Sequence, residues 1–355
     1  GTYIENINFI GKNIAVIGED RETTIIDGNE GGSVVKFVSG EDENARIMGF
    51  TLRNGFGLFD FTDSTVFDTT PPFGGGMQLI DSNPKIEDLK IVNNRALIGA
   101  GLYLASSSPH ISHSIITNNN SYWTGGGLMA VNNSSPTITH SNFVNNSAFS
   151  GNEIVAGLEG TGIVTITNSV IYNDRIYDDP NTMALDIDII GSPNITYSFV
   201  SDGYEGEGNL DTIPYFCDLD NGDLTLASNS PLLGSGENGS DIGALGVGCD
   251  PITTSLEYEG IVPKEFILHQ NYPNPFNPFT TIRYDLPEEG FINIIIYDMM
   301  GRVVKTLVNG SQTAGFKTIQ WNATNDRNEP VSAGLYIYRL QAGEFRQTKK
   351  MVLVK

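Results

Sequence analysis

Carboxylates, histidines and aromatic rings occur in this 355-residue chain at spacings that could support chemistry. Asp178, Asp179, Asp186 and Asp188 fall in one short stretch, with Asp186 and Asp188 on one face of a strand and Asp179 just ahead of Pro180. Hydrolysis of a glycosidic bond uses two carboxylates that flank the scissile bond, one as acid and one as base or nucleophile. Asp179, Asp186 and Asp188 are therefore the catalytic candidates, and weak ones: no His-Gly follows them and the only nearby base is Arg175. Elimination on a uronic acid chain would instead need a Lys, Arg, His or Tyr base of lowered pKa, plus a cation to neutralise the uronate. Residues 96–174 contain no Lys or Arg, which argues against a lyase groove along them. The reading leans to a non-enzyme, with a polysaccharide lyase or glycoside hydrolase as the alternative.

Aligning the chain on Pro84, Pro109 and Pro136 puts Asp88, His113, His140, Asn168 and Tyr197 in one column. Two histidines and an aspartate on adjacent rungs, about 5 Å apart, could ligate a metal. A hydrogen-bonded polar ladder uses the same spacing, and Asn168 in the column favours it, so no metal site is expected. Asp218-Leu-Asp-Asn-Gly-Asp223 resembles a calcium loop superficially, but its glycine sits one position early and the distal glutamate is missing. No cofactor is expected, although the acidic clusters leave weak calcium binding open. The segment from Phe56 to Phe73 carries Phe56, Phe59, Phe61, Phe67 and Phe73 without a basic residue. Long loops leaving a repetitive scaffold commonly carry binding, so these rings, with Tyr122 and Trp123 two turns on, are the binding candidates. The other reading is that they fold back and cover the flank.

The elements that would hold these residues come from an internal repeat. Gly74-Gly-Gly-Met-Gln-Leu, Gly99-Ala-Gly-Leu-Tyr-Leu and Gly125-Gly-Gly-Leu-Met-Ala begin units 25 and 26 residues apart, and a fourth begins near Gly151. Each continues through a proline step, a short alternating strand and an asparagine pair: Asn93-Asn94, Asn118-Asn119 and Asn145-Asn146. Asparagine tolerates left-handed corners and bonds neighbouring backbone, so the pairs are read as structural. Three short strands per unit bury nothing alone, but stacked as turns of a coil they pair each with its equivalent one turn later. The expected fold is a right-handed parallel β-helix of about eight turns, roughly 40 Å long at ~4.8 Å per rung. Ile86, Ile111, Ile138 and Ile166 should form one inward stack. The pattern is similar to the pectin-lyase-like β-helix superfamily, which hosts lyases, hydrolases, adhesins and inert scaffolds alike, so the fold does not give the function.

Charge is unevenly spread. Residues 1–255 hold nine basic and 32 acidic residues, whereas 256–355 hold eleven and ten. The acidic first part argues against nucleic acid or an anionic membrane as partner, and no apolar run is long enough to span a bilayer. Cys217 and Cys249, the only cysteines, are read as a disulfide closing a loop of about 30 residues, worth ~3 kcal/mol in the loop-entropy model.

The last residues carry a different pattern. Runs such as Thr280–Tyr284, Phe291–Tyr297, Lys317–Trp321, Leu335–Leu340 and Gln347–Val354 are rich in β-branched and aromatic residues. Turn signals at Pro287-Glu-Glu-Gly, Asn309-Gly, Asp326-Arg-Asn and Ala342-Gly separate them, which predicts an immunoglobulin-like sandwich. Ordered landmarks run through it: Asn271, Pro273, Asn274, Pro275, Phe276, Asn277 and Pro278, then Gly301, then Gly334 and Tyr336, and finally Lys355. Together they resemble the C-terminal sorting domain of type IX secretion cargo, also called the Por secretion tail. The resemblance implies a signal read by the type IX translocon and sorting machinery, usually cleaved during attachment to the cell surface. The expected organisation is a β-helix over 1–250, a linker over 251–266 and a sorting sandwich over 267–355. The opening Gly1-Thr-Tyr-Ile reads like the middle of a module, so upstream sequence with a signal peptide is expected. The chain is accordingly read as secreted or surface-attached, its β-helix binding a polysaccharide or surface partner or serving as a stalk. A self-assembling surface element, stacking through exposed strand edges, is the third reading.

Overall fold

A strand of three residues makes too few hydrogen bonds to persist alone, and the chain before residue 253 is built largely from strands of two to five residues. The structure, a computed structural model, describes residues 1–57, 73–158, 160–173, 189–201, 203–252, 263, 265–271, 274–278, 280–327 and 329–354. The chain divides into two compact units, the first over Gly1–Val200 and Glu205–Ile252, the second built on Thr253–Lys355.

The first unit is a parallel β-solenoid. A central turn runs through Met77–Ile80, Lys85–Glu87 and Lys90–Val92, and the next through Leu102–Ala105, His110–Ser112 and Ile115–Thr117. Each strand pairs in parallel with its counterpart one turn on, as in Ile86 with Ile111, Ile111 with Ile138 and Ile138 with Ile166. All four isoleucines are fully buried. Among the described residues one sheet has eight strands and the other two have seven each, and complete turns number slightly fewer than the eight expected. A further three-stranded sheet, Phe56–Gly57 with Arg95–Ile98 and Asn120–Thr124, adds a fourth side to the middle turns.

Polar columns close the corners. Asp88, His113, His140, Asn168 and Tyr197 all adopt left-handed backbone, with φ of 50°, 50°, 45°, 52° and 48°. Asn93, Asn118 and Asn145 do the same at the next corner, and Gly74, Gly99, Gly125 and Gly151 at the third. Such conformations are costly for most residues, and asparagine and glycine pay least. After many of these left-handed corners the next residue points inward and is polar. Ser114, Ser141, Ser169 and Ser198 form one buried column, in which each hydroxyl accepts the backbone N–H of the rung before and donates to the carbonyl two residues back. Ser82, Ser107 and Ser134 form a second. Asn94, Asn119 and Asn146 form the third: Asn119 Oδ1 accepts from both N–H and Nδ2 of Asn94, and Asn146 Oδ1 does the same for Asn119.

Two buried carboxylates end these columns. Glu153 accepts from the N–H and Nδ2 of Asn146. Glu41 accepts from the Ser82 hydroxyl and from the N–H groups of Gly11 and Ser39. Burial pushes the Glu41 carboxyl up, yet those hydrogen bonds outweigh it and hold the group below its ordinary value. At the other end, Phe216–Asp218 and Asp223–Ala227 form a hairpin that pairs with Val247–Cys249, and a Cys217–Cys249 disulfide crosses it. Asp218, at the start of the stretch that superficially resembles a calcium loop, accepts from Asn221 inside this hairpin.

The second unit packs two antiparallel sheets. Ile267–Leu268, Thr280–Leu286 and Gly315–Trp321 form one; Val303–Gln312, Gly290–Tyr297, Gly334–Ala342 and Phe345–Leu353 form the other. Ile292, Ile294 and Ile296 alternate inward against Ile282, Tyr284 and Trp321. Asn309-Gly310, expected as a turn, lies instead within the Val303–Gln312 strand. Its asparagine sits opposite Asn293 and accepts a side-chain hydrogen bond from it, a cross-strand pairing that overrides the local preference.

The asparagine column yields a stability prediction. Asn119→Ala should cost about 3 kcal/mol, because buried N–H and C=O groups on both neighbouring rungs lose their partner. Asn118→Gly, at the adjoining exposed left-handed corner, should change stability by less than about 0.5 kcal/mol. Denaturant unfolding of the two variants checks the contrast.

Candidate binding groove

The corner that follows the asparagine column carries the surface best suited to a ligand. Arg95–Ile98 and Asn120–Thr124 pair as Arg95 with Asn120 and Ala96 with Ser121, then slip so that Ile98 faces Thr124. The second strand therefore holds one extra residue, a β-bulge of the kind that re-aims side chains. Ser121 is buried and pins the bulge with its hydroxyl, whose one hydrogen is shared between the carbonyls of Thr124 at 2.8 Å and Leu97 at 3.1 Å. Tyr122 and Trp123 are thrown outward, 68% and 53% exposed. One rung further, Ser147 pairs with Asn120 and Ser150 with Thr124, which places Phe149, 45% exposed, beside the bulge.

A groove of about 670 Å³ is lined by Glu30, Asn54, Phe56, Asn93, Arg95, Asn118 and Asn120, with Ser147 at its edge. It holds one rung after another of amide and guanidinium side chains, all exposed at Asn54, Asn93, Arg95, Asn118 and Asn120. Their floor is the asparagine column, since Asn94 also lines the groove. Asn54 Nδ2 donates to Asp27, which is also paired with Arg53 at 2.9 Å. Burial raises the Asp27 carboxyl, but hydrogen bonds from Asn29, Arg53 and Asn54 prevail and hold it below its ordinary value. Amides both donate and accept, and aromatic faces cover apolar patches, so the set suits a ligand rich in hydroxyls. Among the described lining residues Glu30 is the one carboxylate.

The residues singled out from sequence fall in several places. Asp179, Asp186 and Asp188 lie outside the described residues, as do Phe59, Phe61, Phe67, Pro273 and Lys355. Phe56 lines the groove. Phe73 is half-buried, pairs with Ile98 and packs on Tyr103 at 4.8 Å, so it covers the flank. In the second unit Asn271 is buried, donating from Nδ2 to the Thr280 hydroxyl at 2.8 Å and from its N–H to the Tyr338 hydroxyl at 2.7 Å. Asn274 accepts from the Val352 N–H, and Phe276 packs on Trp321 and pairs with Leu353. Tyr336 donates to Ser332 O at 2.6 Å and meets Trp321 edge-on. Gly301 holds the left-handed position of an exposed turn, at φ 78°. Arg95, Asn120 and Phe149 were not singled out, although one signal was present: Asn120–Thr124 is one residue longer than Arg95–Ile98 before the next glycine.

Comparison with known proteins locates the second unit. Residues 270–355 match the family model of the secretion system C-terminal sorting domain, and the chain thus carries the sorting tail of a type IX secretion cargo. Similar solved structures include dimeric latent PorU from Porphyromonas gingivalis, at 24% identity over 25% of this chain and 9% of that one, TM-score 0.21. PorZ, an essential surface component of the type-IX secretion system of the same organism, is 18% identical over 25% of this chain and 11% of that one, TM-score 0.19. The chain therefore spans only 9% and 11% of the length of these two proteins. No curated protein matches the chain. Among the described residues no helix is long and apolar enough to cross a membrane.

The histidine column is a stack. The His113 and His140 rings lie 5.2 Å apart and 2° from parallel, His140 Nε2 is 3.3 Å from Asn168 Nδ2, and Asp88 pairs with Arg21 at 3.0 Å. Among the described residues no three His, Cys, Asp or Glu side chains converge as metal ligands would. Burial, and then the neighbouring His113, lower the His140 pKa below its ordinary value of 6.5, against an opposing pull from Asp241. The unfolded chain thus binds a proton more readily there, so stability present above pH 6.5 should fall as the solution is acidified through that value. His140→Asn, the residue found one rung on, should flatten the fall of the unfolding midpoint between pH 7 and pH 5. An unchanged pH slope would contradict the assignment.

Proposed function

We propose that the solenoid is a non-catalytic glycan-binding module, carried by the sorting domain to the cell surface or the extracellular space. The observation that supports it best is the pinned bulge, which holds Tyr122 and Trp123 in solvent beside a groove of stacked amides. Two large rings fixed in solvent by a pinned backbone make a rigid aromatic face, which suits the apolar side of a sugar ring. The rung spacing of about 4.8 Å is close to the length of one pyranose unit in an extended chain, so successive rungs can meet successive sugars. With nine basic and 32 acidic residues before position 256, the surface disfavours uronate chains, which makes a neutral glycan the expected ligand.

The test uses the full chain in affinity electrophoresis and calorimetry against neutral and acidic polysaccharides, with calcium and with chelator. Retention by a neutral glycan is expected, weakened about tenfold by Trp123→Ala and by Arg95→Ala, with unchanged thermal unfolding. Preference for a uronate chain would contradict the ligand class. Release of new reducing ends or unsaturated products would contradict the non-catalytic reading and turn attention to Asp179, Asp186 and Asp188.

A further inference from the structure

In the sorting domain, the hairpin between Gly290–Tyr297 and Val303–Gln312 presents two adjacent methionines to water, Met299 at 61% and Met300 at 78% exposure. The preceding strand puts Ile292, Ile294 and Ile296 wholly inside the core, so the apolar pattern does not simply run on into the turn. Turns ordinarily carry Gly, Asn, Asp or Ser. Here Asp298 and Gly301 meet that need, and the methionines occupy the tip without supporting it.

The tip is held firmly. Asp298 accepts from the N–H groups of Met300 and Arg302 and from Arg302 Nε, at 2.9, 3.0 and 2.7 Å. The Gly301 N–H donates to the Asp298 carbonyl, and the Asp298 N–H to the Arg302 carbonyl. Val303, also exposed, extends the apolar surface from the strand that follows. A rigid turn carrying unbranched, polarizable side chains is a shape that fits an apolar pocket and adapts to its outline.

A sorting domain must be recognised by a protein of the secretion machinery. Residues 256–355 hold eleven basic and ten acidic side chains, so net charge offers little for recognition, and shape with apolar contact must do more. We propose that Met299 and Met300 form the knob by which this domain is read, inserting into an apolar pocket on a protein component of the type IX machinery. This inference is independent of what the solenoid binds.

The experiment expresses the full chain in a type IX-secreting host and measures its partition between periplasm and cell surface or medium. M299E/M300E should lower the exported fraction by at least about tenfold, whereas M299L/M300L should export like the unaltered chain. F291E is the control: Phe291 is also exposed, at 60%, but lies at the far end of the same strand, roughly 20 Å away at ~3.4 Å per residue, and its replacement should leave export unchanged. Normal export of a folded M299E/M300E chain would overturn the proposal, as would an equal loss with F291E. Should the double variant fail to fold, M300Q decides: a several-fold loss supports the knob, and normal export overturns it.

Discussion

The buried amide column Asn94–Asn119–Asn146 is the interaction on which the solenoid depends. At every left-handed corner the chain turns backbone N–H groups away from water, and an unpaired buried donor costs as much as several good contacts contribute. Serines resolve this at two corners, and one asparagine per turn resolves it at a third. Its oxygen accepts from the rung before, and its Nδ2 reaches back to a backbone carbonyl, as Asn119 does to Ile91 at 2.9 Å and Asn146 to Ile116 at 2.8 Å. Aliphatic stacking alone would tolerate a slip of the coil. The amide and hydroxyl columns do not, because a slipped rung leaves buried groups unpaired on both sides. Glu153 and Glu41 show how such columns can end, on a carboxylate that supplies only acceptors.

That inner constraint shapes the outer surface. With the inward residues fixed in register, a turn that gains a residue can accommodate it only outward. The extra residue of Asn120–Thr124 does so, and Ser121 keeps its inward place while Tyr122 and Trp123 leave the wall. The groove amides are likewise the exposed neighbours of buried column members: Asn93 and Asn118 precede Asn94 and Asn119. Structure and candidate site therefore share a single repeat. The sandwich works by another rule, with strict alternation of strands around one core, and its exposed methionine tip stands outside that alternation.

Much of this was legible in the sequence. The glycine corners recur at spacings of 25 and 26 residues and the asparagine corners at 25 and 27, and the isoleucine stack follows once they are aligned. The ordered Pro, Gly and Tyr landmarks mark the sorting domain for the same reason: fixed residues at fixed intervals. The serine columns were less visible, because a lone serine after His113, His140 or Asn168 looks like any solvent-facing residue until the corner turns it inward. Glu41 was not legible, since its place beside Ser82 depends on contacts 41 positions apart. Asn309-Gly310 shows the opposite error, a strong local turn signal absorbed into a long strand by pairing on its neighbour.

Native-state hydrogen exchange resolved to single amides tests the central claim most directly. The N–H groups of Gly55, Asn94 and Asn119 each donate to a column oxygen, at 2.8, 3.1 and 3.0 Å. If the column governs the fold, these amides should exchange only through global unfolding of the solenoid, together and as slowly as the Ile86–Ile111–Ile138 rungs. Exchange of the three through local opening, while the isoleucine rungs stay protected, would show that the aliphatic stack holds the coil and the amide column merely accompanies it.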